Sequence, residues 1–218
     1  MIRNTLLQER YQAQIASSLP HRKQLWQQVI KAKISNQAGV LEAQGLEAPK
    51  LRRWSRRVRS GDPDNYEAQA AARYWPLVFP LYEEFTRDRY GDPPNHCLNY
   101  GYAVLRAIVA RGLVSAGLLP ALGLHHRNKY NAFCLADDIM EPYRPYVDNV
   151  VLEMYNEGEA ETDRLTRDQK VRLLESMTQD VVIDGRTSPL SIAVQRTTSS
   201  LAKCYLQEAT HITYPTLS

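Results

Sequence analysis

The chain has few cysteines, and their positions exclude a disulfide framework. Cys97, Cys134 and Cys204 lie far apart among 218 residues, and no two of them have C-x-x-C spacing. An odd number of cysteines without metal-ligand spacing is typical of free thiols in a reducing compartment, and it argues against a structural zinc site. We therefore expect three free thiols in a cytoplasmic protein.

Long apolar runs and several catalytic motifs are also missing. No stretch of 18 apolar residues occurs, and residues 1–14 lack the apolar centre of a secretory signal. We therefore expect neither a transmembrane helix nor a signal peptide. The absence of G-x-x-x-x-G-K-[ST], H-E-x-x-H and G-x-S-x-G argues against a P-loop ATPase, a zinc protease and an α/β-hydrolase.

The spacing of apolar residues predicts a mainly α, single multi-helix domain over residues 1–218, with residues 1–20 as an entry segment. Residues 22–44 carry apolar side chains at three-to-four spacing, namely Leu25, Trp26, Val29, Ile30 and Ile34. Residues 98–117 are apolar on almost every side, which indicates a central buried helix. Further helices are predicted over residues 48–60, 61–75, 146–157, 167–183 and 190–209.

Local signals place the ends of several helices. Asp62 and Pro63 are typical of an N-cap and a first helical position. Thr166 with Gln169 predicts a capping box. Ser188 and Pro189 predict the start of the last helix, after a turn over residues 184–189. One short strand near 181–184 is the only β pattern that we find.

A candidate metal site lies in residues 121–145. His125 and His126 stand in a glycine-containing loop, and Asp137, Asp138 and Glu141 follow within 16 residues. Imidazole and carboxylate ligands suit magnesium or manganese better than thiolate-binding ions. A helix starting near Asp137 would project Asp138 and Glu141 from one face.

Glu67 is the candidate third ligand, because it lies among small residues that let other helices approach closely. A half-buried carboxylate needs a partner. That partner is either a metal ion or an arginine such as Arg73 or Arg106, and the pattern alone favours the salt bridge. Taken singly, a loop histidine such as His126 is more often a hydrogen-bonded structural residue than a ligand, and Glu141 is compatible with a solvated helix end.

The net charge of +3 is too small to indicate nucleic-acid binding, but its distribution is uneven. Residues 50–59 contain six basic residues and no acidic one. Such a cluster can neutralise phosphates, or it can be a solvated helix face. The four arginines at its centre are Arg52, Arg53, Arg56 and Arg57.

Four segments together resemble one known family. They are RKQLWQQVIKAKISNQAGVL, NYEAQAAARYW, LNYGYAVLRAIVARGLVSAGLLPALGLHHRNKYNAFCLADDIMEPYRP and SPLSIAVQRTTSSLAKCYL. They resemble the catalytic α-helical domain of the CRISPR-associated spacer-acquisition integrases, the Cas1 family, and most of all the branch found in type II systems. The GLHH and DIMEP motifs are the specific part of this resemblance.

The resemblance implies a site and a reaction. Carried over by motif, the metal ligands and catalytic residues are Glu67, His126 and Glu141, and His126 is preferred over His125. Asp138 is not a ligand in this assignment, but it would orient a ligand or a bound water. The implied activity is Mg²⁺- or Mn²⁺-dependent endonuclease and integrase chemistry, which joins the 3′-hydroxyl of short foreign DNA to the CRISPR repeat by transesterification. The four arginines of residues 52–57, with Arg127, Lys129 and Arg144, would then hold the backbone of double-stranded DNA.

The family usually begins with a β-rich domain that this sequence does not show. We expect that domain to be absent, which puts the family's homodimer in question and leaves assembly with the small Cas2 subunit open. We expect no membrane partner. The alternatives are a catalytically inactive DNA-binding or scaffold fragment of the same family, and an unrelated metal-dependent phosphohydrolase.

Overall fold

The computed structural model describes residues 3–80, 85–88, 90–159, 162 and 164–217, and it is mainly helical. The helices are α1 (Arg3–Ile15), α2 (Leu19–Ala43), α3 (Pro49–Arg57), α4 (Tyr66–Val78), α5 (Asn95–Ser115), α6 (Cys134–Met140), α7 (Arg144–Asn156), α8 (Arg167–Glu175) and α9 (Leu190–Tyr205). Short 3-10 helices cover Glu141–Tyr143 and Ser176–Thr178. No helix in the described part of the chain is long and apolar enough to cross a membrane.

Three short strands form a small antiparallel sheet with the order β2-β1-β3. They are β1 (Asp180–Ile183), β2 (Arg186–Pro189) and β3 (Pro215–Thr216). Val181 pairs with Ser188 across the hairpin, and Val182 pairs with Thr216 on the other side. The predicted strand is confirmed, but the expected turn over residues 184–189 is mostly the second strand.

Helix α2 lies at the centre of the core, and the apolar face predicted from its periodicity is buried. The five predicted core side chains are all at most 2% exposed, and burial continues to Val40 and Leu41 in the last turn of the helix. The helix contacts α3, α4, α6 and α7, so it touches every element that supplies a candidate site residue. Gly45 has a positive φ of 75° just after the helix, which agrees with a predicted helical range that ends at residue 44.

The second organising helix is α5, which contacts α6, α7, α8 and α9. Leu98, Leu105, Val109 and Leu113 are all fully buried. The prediction of a central helix is confirmed. All three cysteines are free and buried, which confirms the thiol prediction.

The structure corrects several predicted boundaries. Helix α4 begins at Tyr66, so Pro63 lies outside it, although the Asp62 carboxylate still accepts hydrogen bonds from Tyr66 N and Glu67 N. The helix carrying the acidic cluster begins at Cys134 instead of near Asp137. The entry segment contains helix α1, which the sequence did not reveal. The capping box of Thr166 and Gln169 is present as predicted.

The C-terminal segment crosses α2 and ties it to the acidic motif. Asn36 donates to Pro142 O at 2.8 Å and to Pro215 O at 3.1 Å, and it accepts from Leu217 N at 3.1 Å. Gly39 permits this crossing, because a Cβ there would lie 2.4 Å from the carbonyl oxygen of Leu217. One buried asparagine thus fixes the position of the residue that follows Glu141.

Candidate functional site

Glu67 lies in the first turn of α4, where the helix N-terminus favours a negative charge. Its side chain is 28% exposed, which agrees with the half-buried position predicted from its small neighbours. The partner is a cation, but it is Lys33 of α2, and not Arg73 or Arg106. Lys33 Nζ lies 2.7 Å from Glu67 Oε1.

Glu141 follows α6 directly and begins the 3-10 helix that leads into α7. Its side chain is only 4% exposed, and both of its oxygens face a cation. Lys33 Nζ lies 2.6 Å from Oε2, and Arg144 Nη2 lies 3.1 Å from Oε1. Burial favours the neutral acid, but Arg144 and Lys33 outweigh it and hold the pKa of Glu141 below its ordinary value.

Lys33 therefore bridges the two carboxylates. Its side chain is 11% exposed. Burial alone would lower the pKa of Lys33, but Glu141 and Glu67 together raise it above its ordinary value, so the ammonium stays charged at neutral pH. Since both carboxylate oxygens lie within 2.7 Å of one nitrogen, they are close enough to share a single cation.

His126 is fixed by Asp138. The fully buried Asp138 carboxylate accepts hydrogen bonds from the backbone N–H of Leu124 (2.6 Å), His125 (3.0 Å) and His126 (3.3 Å), and it lies 2.5 Å from His126 Nδ1. This hydrogen bond raises the pKa of His126, against the opposing effect of partial burial. Because Nδ1 is engaged, Nε2 is the ring nitrogen left to act as a ligand.

The loop that carries the histidines folds tightly onto Asp138. A Cβ at Gly123 would lie 2.3 Å from His126 O and 2.9 Å from Asp138 Oδ2, so the close approach requires glycine. His125 stacks on the buried Trp26 with ring centroids 4.5 Å apart and planes 7° apart. The two histidines thus differ in role: His125 packs on α2, and His126 lines the cavity described next.

Glu67, His126 and Glu141 line one cavity of about 880 Å³. Its charged lining also includes four cations and one further carboxylate, namely Lys33, Arg87, Arg106, Arg144 and Asp137. Arg106 Nε lies 2.7 Å from Asp137 Oδ1, and Arg106 Nη2 donates to Asp137 Oδ2 at 3.0 Å, so Asp137 belongs to a separate ion pair. The lining carries four cations against three carboxylates, and this small excess of positive charge suits an anionic ligand such as a phosphodiester.

The three predicted ligands are thus gathered around one cavity, although not in coordinating positions. Within the described part of the chain, no three His, Cys, Asp or Glu side chains are arranged to hold a metal ion. The ammonium of Lys33 already marks a cation position between two of them. Magnesium is usually bound by one or two carboxylates together with water and substrate phosphates. The donor set of two carboxylates and one imidazole suits such an ion.

The predicted DNA-binding residues fall into two groups. Arg144 lines the cavity, whereas Arg127 and Lys129 are exposed on the histidine loop. In α3, Arg53, Arg56 and Arg57 are exposed. Arg52 is instead held by Glu42, with 3.0 Å between Arg52 Nε and Glu42 Oε1, and by Ser35 O at 3.1 Å. Three of the four arginines in α3 therefore present their charge to solvent.

Sequence reasoning missed Lys33, although a signal was present. Lys33 lies three residues after Ile30 and one before Ile34, which are both fully buried. A lysine on the apolar face of a helix must find an anion inside the fold. The sequence therefore marked an internal ion pair, but it could not identify the partners, which come from residues 34 and 108 positions away.

A second missed group lies behind Arg144. The buried carboxylate of Asp148 accepts a hydrogen bond from Tyr74 Oη at 3.0 Å and another from Tyr102 Oη. The Tyr102 ring carries the guanidinium groups of Arg144 and Arg87, at 4.7 Å and 5.0 Å from its centroid. Burial raises the pKa of Asp148 to about 6, against the effect of the two tyrosine hydrogen bonds.

Comparisons with known proteins give a consistent family. The model of the family described as CRISPR associated protein Cas1 matches residues 2–184. A CRISPR-associated endonuclease Cas1 from Neisseria meningitidis is 43% identical over 189 residues, which are 86% of this chain and 61% of that relative. One from Pyrobaculum aerophilum is 39% identical over 142 residues, or 63% of this chain and 46% of that relative. The chain therefore spans less than two thirds of the length of these relatives.

Solved structures show the same fold at low identity. A casposase bound to its integration product aligns with a TM-score of 0.76 and 20% identity, covering 95% of this chain and 70% of that one. A CAS1 protein from Thermotoga maritima aligns with a TM-score of 0.71 and 18% identity, covering 95% of this chain and 71% of that one. The helical architecture predicted from the sequence is confirmed.

Proposed function

The chain belongs to the CRISPR-associated Cas1 family, and from this premise we propose that it is a metal-dependent DNA endonuclease and integrase of CRISPR adaptation. The proposed reaction joins the 3′-hydroxyl of a short foreign DNA to the CRISPR repeat by transesterification. The observation that carries the proposal is the meeting of Glu67 and Glu141 at one cation, in a positively lined cavity that also contains His126.

The metal proposal rests on the donor set. Glu67, His126 and Glu141 would hold a magnesium or manganese ion, with Asp138 fixing the orientation of the histidine. When bound, such an ion polarises a phosphoryl oxygen and stabilises charge on the leaving 3′-oxygen. Transesterification exchanges one phosphodiester for another, so it requires no nucleotide cofactor.

The residues around the ligands have distinct proposed tasks. Arg144 reaches from Glu141 towards the cavity and would bind a phosphate oxygen of the scissile strand. Arg127 and Lys129 on the loop, with the exposed arginines of α3, would hold the backbone of double-stranded DNA away from the reacting atoms. A solved partial Cas6-RT-Cas1–Cas2 complex contains a chain that aligns with 92% of this one at 20% identity and a TM-score of 0.73, and it supports Cas2 as the candidate protein partner.

Strand transfer on branched and linear DNA with Mn²⁺ tests the proposal. Glu67→Gln, His126→Ala and Glu141→Gln should each abolish transfer, whereas the exposed Glu208→Gln should retain it. Circular dichroism and thermal melting must accompany Glu141→Gln, because the change leaves Lys33 and Arg144 with less anionic charge in a buried site. Full transfer by a folded Glu141→Gln protein would contradict the assignment.

The second candidate is a DNA-binding or scaffold protein without catalysis. The absence of a coordinating arrangement among the described residues favours it. It predicts DNA binding that is equal for wild type and the three ligand variants, with no transfer by any of them. Activity on small phosphate esters but not on DNA would instead indicate a phosphohydrolase.

A further inference from the structure

A lysine stands where two candidate metal ligands meet. Lys33 Nζ contacts Glu67 Oε1 at 2.7 Å and Glu141 Oε2 at 2.6 Å, and no other described side chain bridges the two acids. The carboxylates come from α4 and from the segment after α6, whereas the ammonium comes from α2, the helix at the centre of the core. The contact is therefore built by the tertiary fold and is not an exposed surface pair.

The charges at this point are balanced without any bound ion. Two carboxylates, Glu67 and Glu141, face two cations, Lys33 and Arg144. A divalent ion would add two positive charges within a few ångströms of both cations, where a low dielectric makes repulsion strong. One of the two cations must therefore withdraw when the ion binds.

Lys33 is the cation that can withdraw. Arg144 also stacks on Tyr102, which holds its guanidinium in place. Lys33 has a flexible four-carbon stem, and it lines a second cavity of about 440 Å³ beside the first. The second cavity is also lined by Asp148, Arg87 and Arg144, so a displaced ammonium has room there, beside one carboxylate and two guanidinium groups.

We propose that Lys33 is an internal counter-cation that holds Glu67 and Glu141 together in the metal-free protein and competes with the divalent ion for them. The proposal rests on the proposed metal site. Lys33 is a positioning residue in this scheme, because its positive charge offsets the repulsion between the two carboxylates. Since the ammonium competes with the ion for these carboxylates, the ion binds only above a threshold concentration.

Manganese binding by the complete chain, measured by calorimetry without DNA, tests the proposal. Lys33→Gln should bind Mn²⁺ at least tenfold more tightly than wild type, which corresponds to about 1.4 kcal/mol. Lys33→Arg keeps the charge and should not tighten binding. Lys31→Gln is the matched control, because it removes the same charge from the same helix, on a side that lines a different cavity.

Thermal melting supplies a second readout. Without metal, Lys33→Gln should melt below wild type, because two carboxylates are left facing each other, and Mn²⁺ should raise its melting temperature more than that of wild type. A Lys33→Gln protein that binds Mn²⁺ no more tightly than wild type overturns the inference, as does equal tightening by Lys31→Gln.

The same experiment separates this inference from the proposed function. Glu67→Gln and Glu141→Gln should each remove Mn²⁺ binding in wild type and in Lys33→Gln. If the two glutamine variants remove Mn²⁺ binding and Lys33→Gln does not tighten it, the proposed metal site is supported and the proposed role of Lys33 is wrong. If Mn²⁺ binding depends on neither glutamate in either protein, both proposals fall.

Discussion

Replacing Asp148 with asparagine should remove a pH dependence from the free energy of unfolding. Asp148 is buried, and it accepts hydrogen bonds from Tyr74 and Tyr102 while Arg144 and Arg87 lie over the Tyr102 ring. Burial is the largest influence on this carboxyl group, and it raises the pKa from 3.8 to about 6. The folded protein therefore retains a proton on Asp148 at pH values where the unfolded chain has released it.

The sign and size of the effect on the free energy of unfolding follow from the difference in proton binding between the folded and unfolded states. Because the folded pKa is raised, the contribution to stability is fully present below about pH 4, and it is lost as the pH rises through about 6. The full contribution is about 3 kcal/mol for a shift of this size. At pH 5 about 1.4 kcal/mol of it remains, and at pH 7.5 almost none. Asparagine does not titrate, so the variant lacks this contribution at every pH.

Urea unfolding at pH 5 and pH 7.5 measures the effect. Between pH 5 and pH 7.5, the free energy of unfolding of wild type should fall by about 1.4 kcal/mol relative to that of Asp148→Asn. The contributions of the other titrating groups cancel because they are the same in both proteins. The exposed Asp168→Asn should follow the wild-type profile. A difference between wild type and Asp148→Asn that is the same at both pH values would refute the reasoning.

Three further predictions concern the site and its supports. Asp138→Asn should lower the pKa of His126 in an NMR titration and cost about 1–3 kcal/mol in urea unfolding, because Asp138 accepts three backbone N–H groups as well as the ring. Gly39→Ala should destabilise the chain by about 1–3 kcal/mol in urea unfolding, because the new Cβ would meet the Leu217 backbone. A higher stability, as alanine's helix propensity alone would give, would show that the C-terminal segment is not packed there. Neutralising the exposed arginines of α3, which are Arg53, Arg56 and Arg57, should weaken DNA binding regardless of the DNA sequence. The slope of log binding constant against log salt concentration should become shallower by about 0.9 for each phosphate that is no longer neutralised. An unchanged slope would indicate a solvated helix face without phosphate contacts.

Elements with dense local signals could be predicted from the sequence. The apolar spacing of α2, the capping box at Thr166 and the buried character of α5 all depend on side chains a few residues apart. The strand β2 could not be predicted, because its residues have no period-two apolar pattern and are fixed by pairing with β1. Helix α1 was missed because its apolar side chains are few and partly exposed, as for Leu6 and Leu7.

The candidate site also contains residues that could be predicted from the sequence and a contact that could not. Family resemblance identified Glu67, His126 and Glu141 one by one, and the fold brings them to one cavity. Neither resemblance nor periodicity could show that Lys33 joins the two acids, because that contact depends on how α2 crosses α4 and the segment after α6. Arg52 illustrates the reverse case: a residue chosen for its charge is largely engaged by Glu42 and Ser35.

The two carboxylates occupy unequal environments, which bears on how an ion would enter. Glu141 is 4% exposed and has a cation at each oxygen, whereas Glu67 is 28% exposed and meets Lys33 through Oε1. In the proposed site, an ion arriving from solvent would reach Glu67 first, because desolvating a partly exposed carboxylate costs less than separating a buried one from two cations. Withdrawal of Lys33 would then precede binding by Glu141. Lys33→Gln should therefore speed Mn²⁺ uptake relative to wild type in stopped-flow measurements, whereas Glu67→Gln should take up none. Equal uptake rates in Lys33→Gln and wild type would exclude this order of events.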